Sequence, residues 1–299
     1  MTSVPDGPPV PARVVRMRRS IHRTAWRELK KAPLTAWFGM VVISIYVLVA
    51  IFAPLIAPYG QSEVVSTQPY APWSERFIFG TDQIGRDMLT RLIFGARNTL
   101  GIAAVTTLLA FVIGGTFGIL AAILRGWFDQ LLSRAIDVLM AIPALVFALI
   151  LLSIFGSSVK NLIIIIAVLD ATRVFRLARS VAMNVAVTDF VEAARLRGEK
   201  LSWVVRREIL PNILPPLVAE FGLRFCFVFL TISALSFLGL GIQPPTADWG
   251  SMVRENAVLI TYGDITPLLA AGAIALLTVA VNFVVDWFLH KTSGLRDER

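Results

Sequence analysis

The chain has 299 residues, 56% of them hydrophobic and 16% charged, and its mean hydropathy is +0.73. A soluble domain carries roughly 25% charged residues, so too few ionisable groups remain to coat a water-facing surface; a soluble enzyme, a disordered chain and a disulfide-stapled secreted fold are all excluded. The net charge of +8 invites a nucleic-acid reading, but the positions of the charges make it a topology signal and an attraction to anionic headgroups instead.

Residues 1–12 are proline-rich and read as unstructured. Residues 13–31 form an amphipathic segment suited to the inner membrane surface. Some thirty-five residues, many of them arginine, precede the first apolar run, which is not the plan of a cleaved signal peptide. A span needs on the order of 20 apolar residues. Spans are expected at about 36–57, 98–124, 138–159, 213–242 and 265–289. A sixth, 160–182, starts as LIIIIAVL and then meets Asp170, Arg173, Arg176 and Arg179. It is retained because without it a strongly basic loop would lie outside. Residues 1–35 hold eight basic and two acidic groups, and 173–212 hold eight and four. The alternate loops are balanced or acidic apart from the short 156–160, which holds Lys160 only, so both termini, including a tail at 291–299, and the loop 183–212 are expected in the cytoplasm.

Catalytic machinery is missing. His22 and His290 fall in the expected tails, Cys226 has no partner for an internal disulfide, and no HExxH, GxSxG or GxxxxGK[ST] pattern occurs. No catalytic residue, metal site or resident cofactor is expected, and any ATP with its Mg must be bound by another polypeptide. Gly114 and Gly118 form a GxxxG pattern that reads as close helix packing.

The informative cytoplasmic stretch is TDFVEAARLRGEKLSWVVRREILPNILPP, 188–216. Residues 190–197 read as a short helix ended at Gly198, and 201–209 as a second one stopped by Pro211. Two short helices joined at a glycine make a compact projection, suited to mechanical coupling or to lying on lipid headgroups. Outside, residues 79–97 carry Gly80, Thr81, Asp82, Gly85, Arg86, Asp87, Arg91 and Arg97. The alternating charges read as a self-paired cap over a pore mouth that also offers a docking surface. Gln243, Pro244 and Pro245 read as a helix stop, with Trp249 as an interfacial aromatic.

Counting 1.5 Å per residue, Asp170 falls roughly 15 Å deep and Glu220 about 12 Å deep. Arg173 and Arg224 follow them at i+3 and i+4. Ionisable groups at such depth normally face a partner or a cavity. Two readings stand: structural pairs, either Asp170–Arg173 and Glu220–Arg224 or pairs made across to another subunit, or groups lining a translocation path.

The 188–216 stretch resembles the EAA signature of ABC importer permeases through Glu192, Ala193, Ala194, Arg195, Gly198, Leu210 and Pro211, with Glu208 as a departure. Residues 79–97, FGTDQIGRDMLTRLIFGAR, and 236–252, SFLGLGIQPPTADWGSM, are similar to segments of dipeptide, oligopeptide and nickel importer permeases of the C-type. Ile232 stands where such permeases commonly carry glutamate. The resemblance implies an all-α inner-membrane protein of the type I importer fold, six spans, and half of a pore shared with a second, related permease. It further implies two ABC ATPases docking on the EAA loop, an extracytoplasmic solute-binding protein, surrounding membrane lipid and no nucleic acid. The implied cargo is a short peptide or a related small solute. The rival reading is a stand-alone secondary transporter or channel for a small charged solute.

Overall fold

The computed structural model describes residues 32–292, with side chains described through residue 290. The expected unstructured 1–12, amphipathic 13–31 and most of the tail 291–299 therefore lie outside the described residues. Among the described residues the chain is helical, with two isolated bridges, Val64 to Arg86 and Thr81 to Asp87, and no strand.

Helix α1 spans Leu34–Ile56 and α2 spans Met88–Leu124. Then come α3, Gly126–Ala141, and α4, Ala144–Phe155. Helix α5 spans Val159–Ala186 and α6 spans Asp189–Leu196. Helix α7, Leu201–Val204, runs through a π-turn at Val205–Ile209 into α8, Leu210–Phe237. Helix α9, Trp249–Asn256, and a 3-10 turn at Ala257–Tyr262 precede α10, Thr266–Thr292. Four helical stretches are long and apolar enough to cross a membrane, and a fifth is so if α3 and α4 count as one broken span.

Three boundaries differ from expectation for identifiable reasons. Helix α2 begins ten residues before the expected start at 98, because Arg91 and Arg97 lie inside the helix. Asp87 opens it by accepting a hydrogen bond from the Thr90 amide at 2.7 Å. The expected span 138–159 is two helices meeting at 89°. Pro143 forces Ile142 into an extended conformation, φ −92 and ψ 132, and α4 restarts beyond it. Helix α8 stops at Phe237 rather than near 242, where Gly239 turns the chain with φ +91.

Helix α5 is long enough to span, at 28 residues, although its charges set it apart from the apolar spans. It lies in the centre of the molecule against α2. Small residues make that approach possible: Ala167, Ala171, Ala178 and Ala182 on α5 are buried, as are Gly114 and Gly118 on α2. A Cβ on Gly118 would sit 2.7 Å from the Phe175 carbonyl oxygen and 2.9 Å from the Ala178 Cβ. The GxxxG pattern thus serves close packing within the chain. One apolar core gathers Leu152, Leu162, Phe229, Ile232, Trp249 and Leu277. A second joins the C-terminal ends of α2 and α5 to α6, the π-turn and α8.

Candidate functional site

Three polar constellations stand out, beginning with the projection formed by residues 188–209. Thr188 precedes α6, and its carbonyl accepts the amides of Val191 at 3.0 Å and Glu192 at 3.1 Å. Asp189 and Glu192 lie in the first turn, where carboxylates favour the helix dipole. Val191 and Ala194 are fully buried against Ala182, Ala186, Val204 and Ile209. Glu192, Ala193 and Arg195 face outward, and Leu196 is 82% exposed. Gly198 takes φ +79, and a Cβ there would touch nothing within 4 Å. Its requirement for glycine is therefore conformational rather than steric.

Pro211 does not stop the second helix. The Leu210 amide donates to the Val205 carbonyl, five residues back, so the register widens just before the proline. The missing proline amide then falls in the opening turn of α8, where it breaks no ladder. Pro215 and Pro216 also lie inside α8. Helix α7, the π-turn and α8 form one continuous helical path, Leu201–Phe237, against which α6 packs through Val191 and Ala194.

Between α5 and α8 the pairing of the buried charges differs from expectation. Arg224 Nε lies 2.7 Å from Glu220 Oε1, the expected i+4 pair. Asp170 does not pair with Arg173; Arg224 Nη1 lies 3.6 Å from Asp170 Oδ1 instead. Asp170 sits on the buried face of α5 toward α8, whereas Arg173, three residues on, points to an exposed face. Arg224 thus bridges two carboxylates and lies 4.8 Å over the Phe227 ring. Asp170 Oδ2 is buried with no hydrogen-bond partner among the described residues. A small cavity beside it is lined by Asp170, Arg173 and Thr231. Ile232 is fully buried in the core.

The self-pairing expected within 79–97 is partly met. Asp82 Oδ1 accepts the amides of Ile84 at 3.0 Å and Arg86 at 2.9 Å. Its Oδ2 takes Arg86 Nε at 2.6 Å, with Arg91 Nη1 3.5 Å away. Gly80 and Gly85, at φ +71 and +84, turn the chain around this carboxylate. Thr81 Oγ1 accepts the Ala71 amide at 2.8 Å. Asp87 caps α2 instead of joining the cluster, and Arg97 is exposed.

The fourth member is Glu255, which sequence reasoning missed. Its Oε2 accepts from Arg86 Nη2 at 3.3 Å and Arg91 Nη2 at 3.1 Å. Two further bonds tie α2, just beyond residue 97, to the 236–252 segment. Asp248 Oδ1 accepts the Thr99 hydroxyl at 2.9 Å, and Asn98 Nδ2 donates to the Ala247 carbonyl at 2.8 Å. Asp248 also caps α9 through the Ser251 amide at 2.8 Å, and burial pushes its carboxyl above the usual carboxylate range. Burial and the nearby Asp82 and Glu255 charges raise the Tyr70 phenol above its ordinary value. Trp249 is no interfacial aromatic. It is buried against Gly95, with Nε1 donating to the Leu92 carbonyl at 2.9 Å. Asp248 carried a legible signal as a helix cap, an Asp three residues before Ser251; Glu255 carried none beyond its sign.

Among the described residues no group of His, Cys, Asp and Glu could hold a metal ion. His290, expected in a tail, lies on α10.

Comparison with known proteins gives this architecture a family. Residues 114–292 match the model for binding-protein-dependent transport system inner membrane components, and residues 20–72 match the N-terminal TM domain of oligopeptide transport permease C. The dipeptide transport system permease protein DppC of Alkalihalophilus pseudofirmus is 34% identical over 99% of this chain and 94% of its own. The di/tripeptide transport system permease protein DppC of Pseudomonas aeruginosa is 34% identical over 87% of this chain and 85% of its own. The structure of the MetNI methionine ABC transporter in inward-facing conformations shares the fold at 20% identity and a TM-score of 0.56. The match covers 68% of this chain and 97% of the matched chain. The chain belongs to the family of binding-protein-dependent transport system inner membrane components: it is a multi-pass bacterial inner-membrane permease subunit of an ABC importer, working with a second permease and with a separate ATPase that hydrolyses the ATP.

Proposed function

We propose that this permease carries short peptides, or small solutes of similar polarity, as half of a pore completed by a related but non-identical permease. Six spans with both ends cytoplasmic, two ATPases below and a solute-binding protein above complete the reading. The dipeptide and di/tripeptide relatives support the cargo class. No chemistry is done on the cargo, and ATP with its Mg stays on the partners.

The observation that carries the mechanism is the outward face of α6. Val191 and Ala194 anchor the projection, while Glu192, Ala193, Arg195 and Leu196 remain uncovered. An ATPase gripping that face moves α8 with it, because α7, the π-turn and α8 are continuous. Outside, the cap built on Asp82, Arg86, Arg91 and Glu255 gives a delivering protein a stiff surface. At mid-depth, Asp170 and Arg224 are read as a structural pair, since both are nearly buried and face each other. Arg173 and the half-buried Glu220 are the better-exposed candidates for the solute path. The stand-alone carrier reading gives no role to the α6 face and is dropped.

The test is a gentle-detergent pull-down of the tagged chain with subunits identified by mass, beside dipeptide uptake into vesicles. The wild type should bring down two ATPases and a second permease, whereas Glu192→Lys should lose the ATPases alone and abolish uptake. Retention of the ATPases by Glu192→Lys with normal uptake would remove α6 from the coupling contact.

A further inference from the structure

Two neighbouring cavities on the α3–α5 face have opposite character. The first, about 200 Å3, is apolar and lies between α2, α3 and α5, with Phe117, Leu132, Leu139 and Val168 in its walls. The second, about 290 Å3, is polar and lined by Ser133, Asp137, Arg176, Arg179 and Ser180. Ile136 and Phe175 line both, so the two spaces adjoin. Together they form one crevice that is apolar at one end and basic at the other.

The charges within the crevice are unequally matched. Arg179 is closed by Asp129, with Nη2 at 2.6 Å from Oδ2. Arg176 reaches Asp137 only at 4.0 Å, and both of those side chains are more than half exposed. Its remaining contact is Nη1 to the Met140 sulfur at 3.7 Å. Arg176 is therefore the guanidinium open to a new anion, with the exposed Arg134 on the same face-forming helix.

Depth decides what kind of anion. Arg176 stands seventeen residues beyond Val159, roughly 25 Å along α5 at 1.5 Å per residue, and Arg179 about 30 Å along, a full hydrocarbon thickness. With the N-terminal end of α5 outside, an orientation that rests on the proposed topology, these arginines lie at the cytoplasmic headgroup level. The apolar cavity, walled by Val168 and Phe117, lies nearer the midplane. A protein helix seated in this crevice would meet arginines and an apolar groove along one face. An amphiphile has that polarity gradient built in.

We propose that the α3–α5 crevice binds one anionic phospholipid of the cytoplasmic leaflet, its phosphate on Arg176 and an acyl chain in the groove against Phe117 and Leu139. Helix α3 has no buried residue, so a lipid filling the crevice would hold it against α5.

The assembled transporter, purified and stripped of endogenous lipid, is titrated with phosphatidylglycerol or phosphatidylcholine, and retained lipid per permease is counted by native mass spectrometry. The wild type should retain phosphatidylglycerol in preference, and excess inorganic phosphate should not displace it. Arg176→Gln should lower phosphatidylglycerol retention about fivefold, the weight of one arginine at an anionic surface. Ala135→Trp, which fills the groove wall without changing charge, should lower retention of both lipids. Equal retention of the two lipids by the wild type, displacement by phosphate, or unchanged retention in both variants overturns the proposal. So does efficient cross-linking of Ala135→Cys to the second permease, which would make the crevice a protein interface. The same spectra count the ATPase subunits, so a failure of the assembly reading registers independently of lipid.

Discussion

Replacing Glu255 by glutamine removes the carboxylate that holds both Arg86 and Arg91, in a cluster where these three side chains are 1–5% exposed. Deleting one partner of a buried ion pair costs about 3–5 kcal/mol, because the charge left behind is neither solvated nor paired. The low end applies, about 3 kcal/mol: glutamine keeps an acceptor oxygen, Asp82 still pairs with Arg86, and Arg91 Nε and Nη1 already lack hydrogen bonds. The assay is tryptic cutting after Arg86 in the purified complex. Arg86 is 3% exposed, so cutting proceeds through local opening and its rate follows the opening equilibrium. At 1.4 kcal/mol per factor of ten, the cutting rate should rise on the order of a hundredfold. Arg97→Gln, at an exposed site, should leave it unchanged. The double variant Glu255→Leu, Arg91→Met should cut more slowly than Glu255→Gln, since apolar replacement of a whole pair is tolerated. A rise below about fivefold, under 1 kcal/mol, would refute the claim that these charges lock the cap to α9.

Gly118→Val places side-chain atoms against the Phe175 carbonyl and should cost at least about 1–3 kcal/mol through overpacking, seen as lost monodisperse protein in size-exclusion chromatography. Gly101→Ala, on the same helix but facing open space, should elute normally; equal behaviour of the two would contradict the α2–α5 contact. Arg224→Gln leaves Asp170 and Glu220 without their cation and should lower thermal stability by about 3 kcal/mol, with partial recovery on adding Asp170→Asn. A stable Arg224→Gln protein with altered uptake would instead return Arg224 to the solute path. Asp248 titrates above the usual carboxylate range when folded, so its ionisation disfavours the folded state. Its contribution to stability is fully present below the unfolded carboxylate pKa and is lost as pH rises through the raised folded value. The melting temperature of the wild type relative to Asp248→Asn should therefore rise on acidification; a relative fall would contradict the assignment.

Most spans were legible where charge was absent, and the fold class followed from them; the charge-free 138–159 is the exception, broken at Pro143. Arg91 shows where that signal failed: a charge ended the expected segment in sequence, yet in space it is neutralised by Asp82 and Glu255 and the helix runs through it. The first short helix of the 188–209 projection was legible because its stop is local, a glycine after Arg197. Pro211 misled because a proline stops a helix only when its absent amide was needed, and the π-turn removes that need. The partner of Arg86 lies 169 residues away, and no periodicity in one chain reveals such a pairing. Helical spacing alone offered Arg173 as one candidate partner for Asp170. That rule describes one helix and is silent about Arg224 on another.

The π-turn at Val205–Ile209 also has a bearing on indexing. A helix with one extra residue in a turn stores a single unit of rotational phase, roughly 100°. Deleting one residue within Val205–Ile209 would discharge it. Helix α8 would keep its own packing while everything before it swivelled by that angle, carrying the face of Glu192 and Leu196 to a different compass bearing about the α8 axis. The turn thus works as a clocking pin, fixing the azimuth at which the α6 face is presented.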